Sequence, residues 1–300
     1  MLSVTILGNN SALPAHNRHP TAQVLQAEGH TMLIDCGEGT QMQMSAYKIK
    51  RNKIDHIFIS HLHGDHYFGL IGLLSSLALN NRTSDLHIYA PGELESVIRL
   101  QMKVSRGDFP YQLCFYNLEK EGIIFEDKKL SVECFKVNHR VECWGFFFRE
   151  KKNLRKINIE KVNEYNVPIS FFENLHRGGD FINAENELIK NEMLTIAAEP
   201  SKSYAYCADT AFYEPIAEKI KGVDLVYHES TYLDADSKKA AARFHSTTKQ
   251  AALIAKKAGA KKLLLGHFSS QYETLDKFKN EACEVFENTE IAEEGTCYWA

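Results

Sequence analysis

The chain has 300 residues, of which 44% are hydrophobic and 25% are charged, and its formal net charge is −4. This composition is typical of a globular protein and excludes a disordered chain, while the slight negative charge excludes a uniformly basic nucleic-acid-binding protein. A nucleic acid would therefore have to bind a local basic patch.

Cysteine use and hydropathy indicate the cellular environment. The seven cysteines are scattered and include no C-x-x-C pair, which argues against a disulfide framework and against a zinc ribbon. The N-terminal residues show no signal-peptide pattern, and the longest apolar run, residues 68–79, is too short to cross a bilayer. We therefore expect a cytoplasmic protein that does not enter a membrane.

Short β-branched and aromatic runs alternate with helical patterns in the first half of the chain, which predicts an α/β fold. Strands are predicted at residues 2–7, 31–35, 56–60, 86–90, 123–125 and 130–137. Helices are predicted at residues 67–80, where apolar side chains recur at helical spacing, and at residues 93–104.

The same alternation continues in the second half, with strands predicted at residues 145–149, 203–207, 224–228 and 262–266. A helix is predicted at residues 247–258, because Thr247 and Gln250 form a capping-box pattern at its start and Gly259 follows its end. No linker rich in Pro, Ser or Gly divides the chain, so we expect a single domain over residues 1–300.

Residues 151–193 differ from both flanking halves. The segment opens with a basic run, contains the turn-forming sequences N-V-P and R-G-G-D, and has too few apolar residues at any one period to form core. We interpret it as an inserted arm that projects from the domain.

The strongest chemical signal is a cluster of histidine and aspartate that follows the predicted strand 56–60. His61, His63, Asp65 and His66 are four potential metal ligands within six residues, in the order H-x-H-x-D-H. Imidazole and carboxylate are the ligands that catalytic zinc takes. His61 and His63 are placed to face one metal, and Asp65 and His66 a second; the competing interpretation is a solvated histidine turn.

Two metal sites need further ligands, and three candidates follow other predicted strands. His139, Asp209 and His267 each lie just beyond a strand end, where loops of layered α/β proteins gather to form sites. We expect His139 to complete the first site, His267 the second, and Asp209 to bridge both. Each alone could equally cap an element or satisfy a core hydrogen bond.

These motifs resemble those of the metallo-β-lactamase superfamily, whose fold is an αββα sandwich with a dinuclear metal site at one edge. Further segments resemble the ribonuclease Z family specifically: D-C-G-E-G-T-Q at residues 35–41, H-E-S-T at 228–231, H-S-T at 245–247 and H-F-S at 267–269. The first loop, residues 8–14, departs from the family's more usual glycine-rich sequence. The resemblance implies an αββα sandwich with an inserted protruding arm.

The resemblance also implies an activity, which is cleavage of precursor tRNA to remove its 3′ trailer. Two Zn²⁺ ions per subunit would serve as cofactors, with Mn²⁺ or Fe²⁺ as substitutes, and hydrolysis would leave a 3′-hydroxyl on the tRNA and a 5′-phosphate on the trailer. In this family the arm clamps the tRNA across a homodimer. The family uses an aspartate that is also a metal ligand as the general base. The residue at that position here is Asp65, which would be within reach of the attacking water.

A proton donor for the leaving oxygen is expected at His245, oriented by the carboxylate of Glu229. The alternative is that His228 and Glu229 only orient ligands and that His245 merely precedes a helix. Ser246, or the amides that follow it, is expected to hold phosphate at that helix N-terminus.

Binding of RNA by an acidic chain requires a concentrated basic surface. The root of the arm supplies one, and the candidate substrate-binding residues there are Arg149, Lys151, Lys152, Arg155 and Lys156, followed by Lys161. Such a run is often only a solvated face.

Two other functions remain open from the sequence. One is a general phosphodiesterase of the same fold that acts on small phosphodiesters and has no need of a basic arm. The other is an RNA-binding scaffold without catalysis, which predicts lost ligands, whereas all seven candidate ligands are present.

Overall fold

A computed structural model describes residues 2–105, 107–151 and 154–300. The chain forms two compact units, which are the residues up to Glu150 together with Lys202–Ala300, here called the core unit, and Lys151–Ser201, here called the arm. None of the helices within the described residues has the length and apolar character needed to span a bilayer.

The secondary structure alternates as expected for an α/β protein. The strands are β1 (Leu2–Gly8), β2 (Ala22–Ala27), β3 (His30–Cys36), β4 (His56–Phe58), β5 (Leu86–Ala90), β6 (Leu113–Asn117), β7 (Gly122–Glu126), β8 (Leu130–Lys136), β9 (Trp144–Glu150), β10 (Lys156–Ile157), β11 (Phe181–Ile182), β12 (Leu188–Ile189), β13 (Thr195–Ile196), β14 (Ser203–Cys207), β15 (Leu225–Glu229), β16 (Lys262–Gly266), β17 (Thr289–Ile291) and β18 (Cys297–Trp299). The helices are α1 (Thr40–Ala46), α2 (Gly64–Tyr67), α3 (Leu70–Leu79), α4 (Glu93–Ser105), α5 (Ile159–Glu164), α6 (Phe172–His176), α7 (Asn191–Leu194), α8 (Ile216–Lys219), α9 (Ser237–Ala242), α10 (Thr248–Ala258) and α11 (Asp276–Cys283), with 3₁₀ turns at Arg51–Lys53, Ile169–Phe171 and Asp234–Asp236.

The core unit contains two seven-stranded sheets of mixed direction. The first sheet has the order β18-β1-β2-β3-β4-β5-β6, and its strands from β3 to β6 are parallel. The second has the order β17-β16-β15-β14-β9-β8-β7, and its strands from β14 to β17 are parallel. Because β8 and β14 both pair antiparallel with β9, their C-terminal ends lie at the same edge.

Three apolar clusters define four layers. One cluster combines side chains of both sheets, among them Phe58 of the first and Phe146 of the second, and lies between the sheets. A second cluster packs α8, α10 and α11 on the outer face of the second sheet, and a third packs α3 and α4 on the outer face of the first. The expected αββα arrangement is therefore confirmed.

The helix predicted at residues 67–80 is interrupted, since α2 ends at Tyr67 and α3 begins at Leu70. Gly69 lies at the break, where its N–H donates to the Cys36 carbonyl at 2.9 Å. A Cβ on Gly69 would lie 2.2 Å from the Gly37 carbonyl oxygen, so only glycine permits this approach. The break thus fixes α2, which carries Asp65 and His66, against the end of β3.

Helix α10 has the ends that its sequence predicts. Thr247 accepts from the N–H of Gln250, the Gln250 side chain accepts from the N–H of Thr247, and Gly259 ends the helix in the left-handed conformation with φ of 65°. The capping box therefore provides hydrogen-bond acceptors within the helix start for the N–H groups of Thr247 and Gln250.

The arm has its own apolar core, contrary to the expectation from its composition. Val162, Leu175 and Leu194 are buried within it, and aromatic residues such as Phe171 pack against them. The unit extends to Ser201 rather than to the expected end at residue 193. Its elements are only two to six residues long, so no element completes the period that reveals a buried face.

Asp224, which directly precedes β15, provides a stability test that is independent of the site. Its buried carboxylate accepts from Ser203 N–H at 2.8 Å, Ser203 Oγ at 2.7 Å and Lys261 Nζ at 2.7 Å. Burial alone would raise the pKa of Asp224, but Lys261 and Ser203 outweigh burial and lower it.

We expect Asp224→Asn to reduce the free energy of unfolding by about 1–2 kcal/mol at pH 7, as measured by urea denaturation. Because the folded-state pKa is lowered, the wild-type advantage is present above the ordinary carboxyl pKa and shrinks as the pH falls below it. The exposed Asp108→Asn is the matched control. A wild-type advantage that stays constant down to pH 3 would contradict this account.

Candidate metal centre and catalytic cleft

The predicted ligands converge at one edge of the core unit. Four of them follow β4 of the first sheet, and the other three follow β8, β14 and β16 of the second sheet; the set is His61, His63, Asp65, His66, His139, Asp209 and His267. All are buried or half-buried at the C-terminal ends of these strands, which is where loops of layered α/β proteins form sites.

Three histidines and one carboxylate form the first group. His63 Nδ1 lies 2.9 Å from His61 Nε2 and 3.2 Å from His139 Nε2. Asp209 Oδ2 lies 3.6 Å from His61 Nε2 and 4.0 Å from His139 Nε2. These four ligand atoms surround a space of the size that one cation takes.

Two histidines and two carboxylates form the second group. His66 Nε2 and His267 Nε2 are 3.3 Å apart, and Asp65 Oδ2 lies 3.6 and 3.4 Å from them. Asp209 Oδ1 lies 3.1 Å from His267 Nε2 and 3.4 Å from His66 Nε2. Asp209 thus presents one oxygen to each group, an arrangement suited to a bridging carboxylate.

The donor set fits divalent cations. Asp209 Oδ1 is buried and, within the described residues, has no hydrogen-bond partner. The outer nitrogens of three histidines are occupied: His61 Nδ1 by Ser60 Oγ, His66 Nδ1 by Asp35 and His139 Nδ1 by the Phe244 carbonyl. These bonds leave the inner nitrogens as lone pairs that face one another, an arrangement that a cation between them stabilises.

Asp35 orients this cluster and was not singled out by the sequence analysis. Its carboxylate accepts from Ser60 N–H at 2.7 Å, Ser60 Oγ at 2.8 Å, His66 Nδ1 at 2.7 Å and Tyr206 OH at 2.6 Å. Asp35 has φ of 54° and His267 has φ of 61°, a left-handed conformation that is unfavourable for non-glycine residues. The D-x-G-E-G-T-Q motif contained this residue, but its spacing gave no sign of the contact with His66.

Asp35→Asn tests this orienting role. The amide can still accept one hydrogen bond, but it loses the charge that fixes the His66 ring, so we expect metal affinity to fall about 10–100-fold. Equilibrium dialysis against Zn²⁺ measures this affinity, and Asp108→Asn controls for loss of one surface charge. Unchanged affinity would mean that Asp35 only packs the strand end.

Glu229 is the second buried carboxylate that positions the site. Its Oε1 accepts from Thr210 N–H at 3.0 Å, Ser246 N–H at 3.0 Å and His245 Nδ1 at 2.9 Å. Its Oε2 accepts from Thr231 N–H at 2.9 Å and Thr231 Oγ at 2.8 Å. Burial raises the pKa of Glu229, but His245 outweighs burial and the net shift is downward. Glu229 therefore stays ionised and rigid.

His245 has the protonation that a donor needs. Burial lowers its pKa, but the adjoining Glu229 carboxylate outweighs burial and raises it to about 9. Its Nδ1 bonds to Glu229, so Nε2 is the nitrogen left to meet a substrate. His228 does not share this role, because its ring is buried and its Nδ1 donates to the Glu229 backbone carbonyl.

The expectation for Ser246 is wrong. Its side chain is fully buried, and its hydroxyl donates to the Thr210 carbonyl at 2.7 Å. Its N–H donates to Glu229, and the N–H of Thr247 is taken by the capping box. Ser246 therefore has no group free for phosphate and instead ties the start of α10 to the end of β14.

An open cleft of about 410 Å³ gives access to the centre. Asp65, His63, Asp209 and His245 line it, together with residues of the divergent first loop, Glu38, Phe68 and Arg140. In that loop the N–H of Ala12 donates to Asp65 Oδ2 at 2.7 Å. The loop thus orients Asp65 through a backbone group rather than through a side chain.

The predicted RNA-binding residues are placed unevenly. Arg149 belongs to the core unit, where its guanidinium lies 3.9 Å from the Phe147 ring centre and 3.6 Å from Glu133. Arg155 donates to Thr195 Oγ at 2.6 Å and Lys161 pairs with Glu164 at 2.7 Å, whereas Lys156 is exposed. Lys151 is half-buried, and Lys152 lies outside the described residues.

A groove within the arm was not predicted. It has a volume of about 1010 Å³, and Arg155, His176, Arg177 and Lys190 are among its lining residues. The last three are far from the basic run in sequence and became neighbours only through the fold of the arm.

Comparisons with known proteins agree with this geometry. Residues 30–268 match the family described as the Beta-lactamase superfamily domain. A protein named Ribonuclease Z from Parabacteroides distasonis is 42% identical over 294 residues, which cover 97% of each chain. Another, from Porphyromonas gingivalis, is 40% identical over 294 residues, again 97% of each chain. The crystal structure of human tRNase Z, short form, superposes with a TM-score of 0.73 at 27% identity, over 99% of this chain and 98% of that one.

Proposed function

This chain belongs to the ribonuclease Z family of the beta-lactamase superfamily, and from that premise we propose that it hydrolyses precursor tRNA to remove the 3′ trailer. The products are a tRNA with a 3′-hydroxyl and a trailer with a 5′-phosphate. The observation that carries this proposal is the convergence of seven ligand-type side chains beside His245, at an open cleft lined by His63, Asp65, Asp209 and His245.

The two groups of side chains would each hold one Zn²⁺ ion, with Asp209 shared between them. Divalent ions held there supply Lewis-acid stabilisation of the charge on the attacked phosphate and lower the pKa of water. Mn²⁺ or Fe²⁺ would suit the same imidazole and carboxylate donors.

Two protein groups move protons in the proposed reaction. Asp65 accepts the proton of the attacking water, because its carboxylate lines the cleft and is already fixed by Ala12. His245 donates the proton of Nε2 to the departing ribose oxygen, while Glu229 holds its other nitrogen. Against the effect of burial, the Glu229 carboxylate raises the pKa of His245, which favours the protonated form that an acid requires.

Recognition of the RNA is assigned to the arm and to Arg149 at its root. Lys156 is exposed, and Arg155, Arg177 and Lys190 line the groove together with Asp180, Glu192 and Glu199. The four basic side chains are the proposed contacts to RNA phosphates. Double-stranded RNA is read mainly by shape and phosphate contacts, for which such side chains are suited.

We also propose that the protein is a cytoplasmic homodimer. The homodimer is the assembly that the family resemblance implies. Seven free cysteines suit a reducing compartment. Light scattering of the purified protein measures the oligomeric state directly.

Incubation with a 3′-extended precursor tRNA tests the proposed activity. We expect two products, a tRNA ending in a 3′-hydroxyl and a trailer that begins with a 5′-phosphate, and no cleavage after chelation. A chromogenic aryl phosphodiester is the comparison substrate. Hydrolysis of that compound without cleavage of the precursor would favour the general phosphodiesterase instead.

A further inference from the structure

A second cluster of histidine and aspartate lies at the opposite end of the first sheet. His30 begins β3, Asp55 precedes β4 and His56 begins β4. These strands lead to the catalytic cleft at their other ends, about 16 Å away for five residues of strand. Ligand atoms of the three side chains lie within 4.8 Å of one another.

The contacts of His30 are unusual for a neutral imidazole. Its Nδ1 lies 2.7 Å from Asp55 Oδ2 and its Nε2 lies 3.0 Å from Asp127 Oδ2. A neutral ring carries one N–H, so the second nitrogen faces a carboxylate as a lone pair unless a proton or a metal ion is present. The contacts of His30 alone are compatible with both a protonated ring and a metal-bound ring.

His56 separates the two cases. It is 94% buried, and within the described residues its Nδ1 has no hydrogen-bond partner. Its Nε2 lies 4.0 Å from Asp55 Oδ2, too far for a hydrogen bond. Protonation of His30 leaves His56 Nε2 without a hydrogen bond to Asp55, whereas a metal ion would bind this nitrogen together with His30 and Asp55. Two ligands on one zinc ion are about 3.3 Å apart, between the 2.7 and 4.0 Å observed here.

We propose that His30, Asp55 and His56 form a further metal site, which takes one zinc-like divalent ion. Two imidazoles and a carboxylate are donors of the class that zinc prefers, and the partly exposed Asp55 leaves a position open to solvent.

Asp127 supports this site from the second sheet. It lies in the turn between β7 and β8, where its Oδ1 accepts from the N–H groups of Lys129 and Leu130, both at 2.7 Å. Its Oδ2 is thereby aimed at His30 Nε2, the carboxylate–histidine arrangement that raises the basicity of a ligand. The bound ion would thus link the two sheets at the edge away from catalysis.

Metal counting on the whole protein tests the site. Wild type, His30→Gln, Asp55→Asn and His87→Gln are dialysed to equilibrium against Zn²⁺ alone, and bound metal per chain is measured by elemental analysis. His87 is the matched control, because its ring stacks on His56 at 5.0 Å yet it is not one of the clustered ligands. We expect wild type and His87→Gln to bind one equivalent more than His30→Gln and Asp55→Asn.

Two additions keep the result decisive. Asp55→Asn conserves shape at a partly exposed position, so it carries the test if His30→Gln fails to fold. The difference of one equivalent should persist in an Asp209→Ala background, whatever the catalytic cluster holds and whether or not precursor tRNA is cleaved. Asp127→Asn should weaken zinc affinity about 10–100-fold without changing the number of sites. Equal metal content in all four proteins would overturn the proposal.

Discussion

His245→Ala should slow single-turnover cleavage of precursor tRNA at saturating RNA about a hundredfold or more, the usual effect of losing a proton-transfer group. The ribose oxygen is a poor leaving group without a proton, and Nε2 of His245 is the nitrogen left free to supply it. Bound zinc should remain at the wild-type level, because the seven side chains in the two ligand groups are untouched.

Two substrates with different leaving groups distinguish proton donation by His245 from a purely structural role. An aryl phosphodiester with a nitrophenolate leaving group needs no proton, so its hydrolysis by His245→Ala should stay close to wild type. The exposed His16→Ala serves as the matched histidine variant. If both substrates slow equally, His245 supports the fold of the cleft rather than the departure of the ribose oxygen.

Removal of the arm should reduce the affinity for precursor tRNA about a thousandfold at physiological salt, if several phosphate contacts are lost. The design is favourable because the ends of the arm adjoin within the core unit. Glu150 N–H donates to the Lys202 carbonyl at 2.8 Å, and Lys202 N–H donates to Glu150 at 3.0 Å. A short Gly/Ser turn in place of Lys151–Ser201 would therefore join β9 to β14 as a hairpin.

The salt dependence of binding distinguishes lost contacts from misfolding. Each lost phosphate contact should flatten the slope of log affinity against log salt by about 0.7–0.9, while aryl phosphodiester hydrolysis and metal content stay unchanged. Arg177→Ala with Lys190→Ala should show a smaller effect in the same direction, and exposed Lys103→Ala on α4 should show none. Loss of both activities together would place the segment in the catalytic fold, and unchanged RNA binding would contradict recognition by the arm.

The candidate metal ligands could be picked out from the sequence because their signals are local. His61 to His66 are adjacent in sequence, and each of the distant ligands follows a strand that its own composition reveals. Strand ends of parallel sheets share an edge, so the sequence was enough to bring these residues together. The structure brings all seven side chains together in two groups.

The residues that hydrogen-bond to the ligand-type side chains could not be predicted, because these contacts depend on the direction in which each side chain points after its strand. Asp35 contacts His66 across neighbouring strand ends of the first sheet, and Thr210 and Thr231 contact Glu229 at neighbouring strand ends of the second. Ser246 was misjudged for the same reason, since nothing in its motif shows that it is buried.

Strand β2 and the core of the arm were missed on different grounds. Both faces of β2 are covered, so Ala22–Ala27 is buried almost throughout and shows no alternation. The arm is built from elements too short to show a period.

The division of the ligands between two sheets has a consequence for how the protein matures. His66 and His267 are 201 positions apart in the chain, so neither half can assemble the centre alone. Docking of the two sheets must therefore come before either ligand group is complete. By mass action the metal then stabilises the docked state, by about 4 kcal/mol when free metal is a thousandfold above Kd. In a metal-starved cell, the folded protein should therefore have a shorter lifetime as well as a lower catalytic rate.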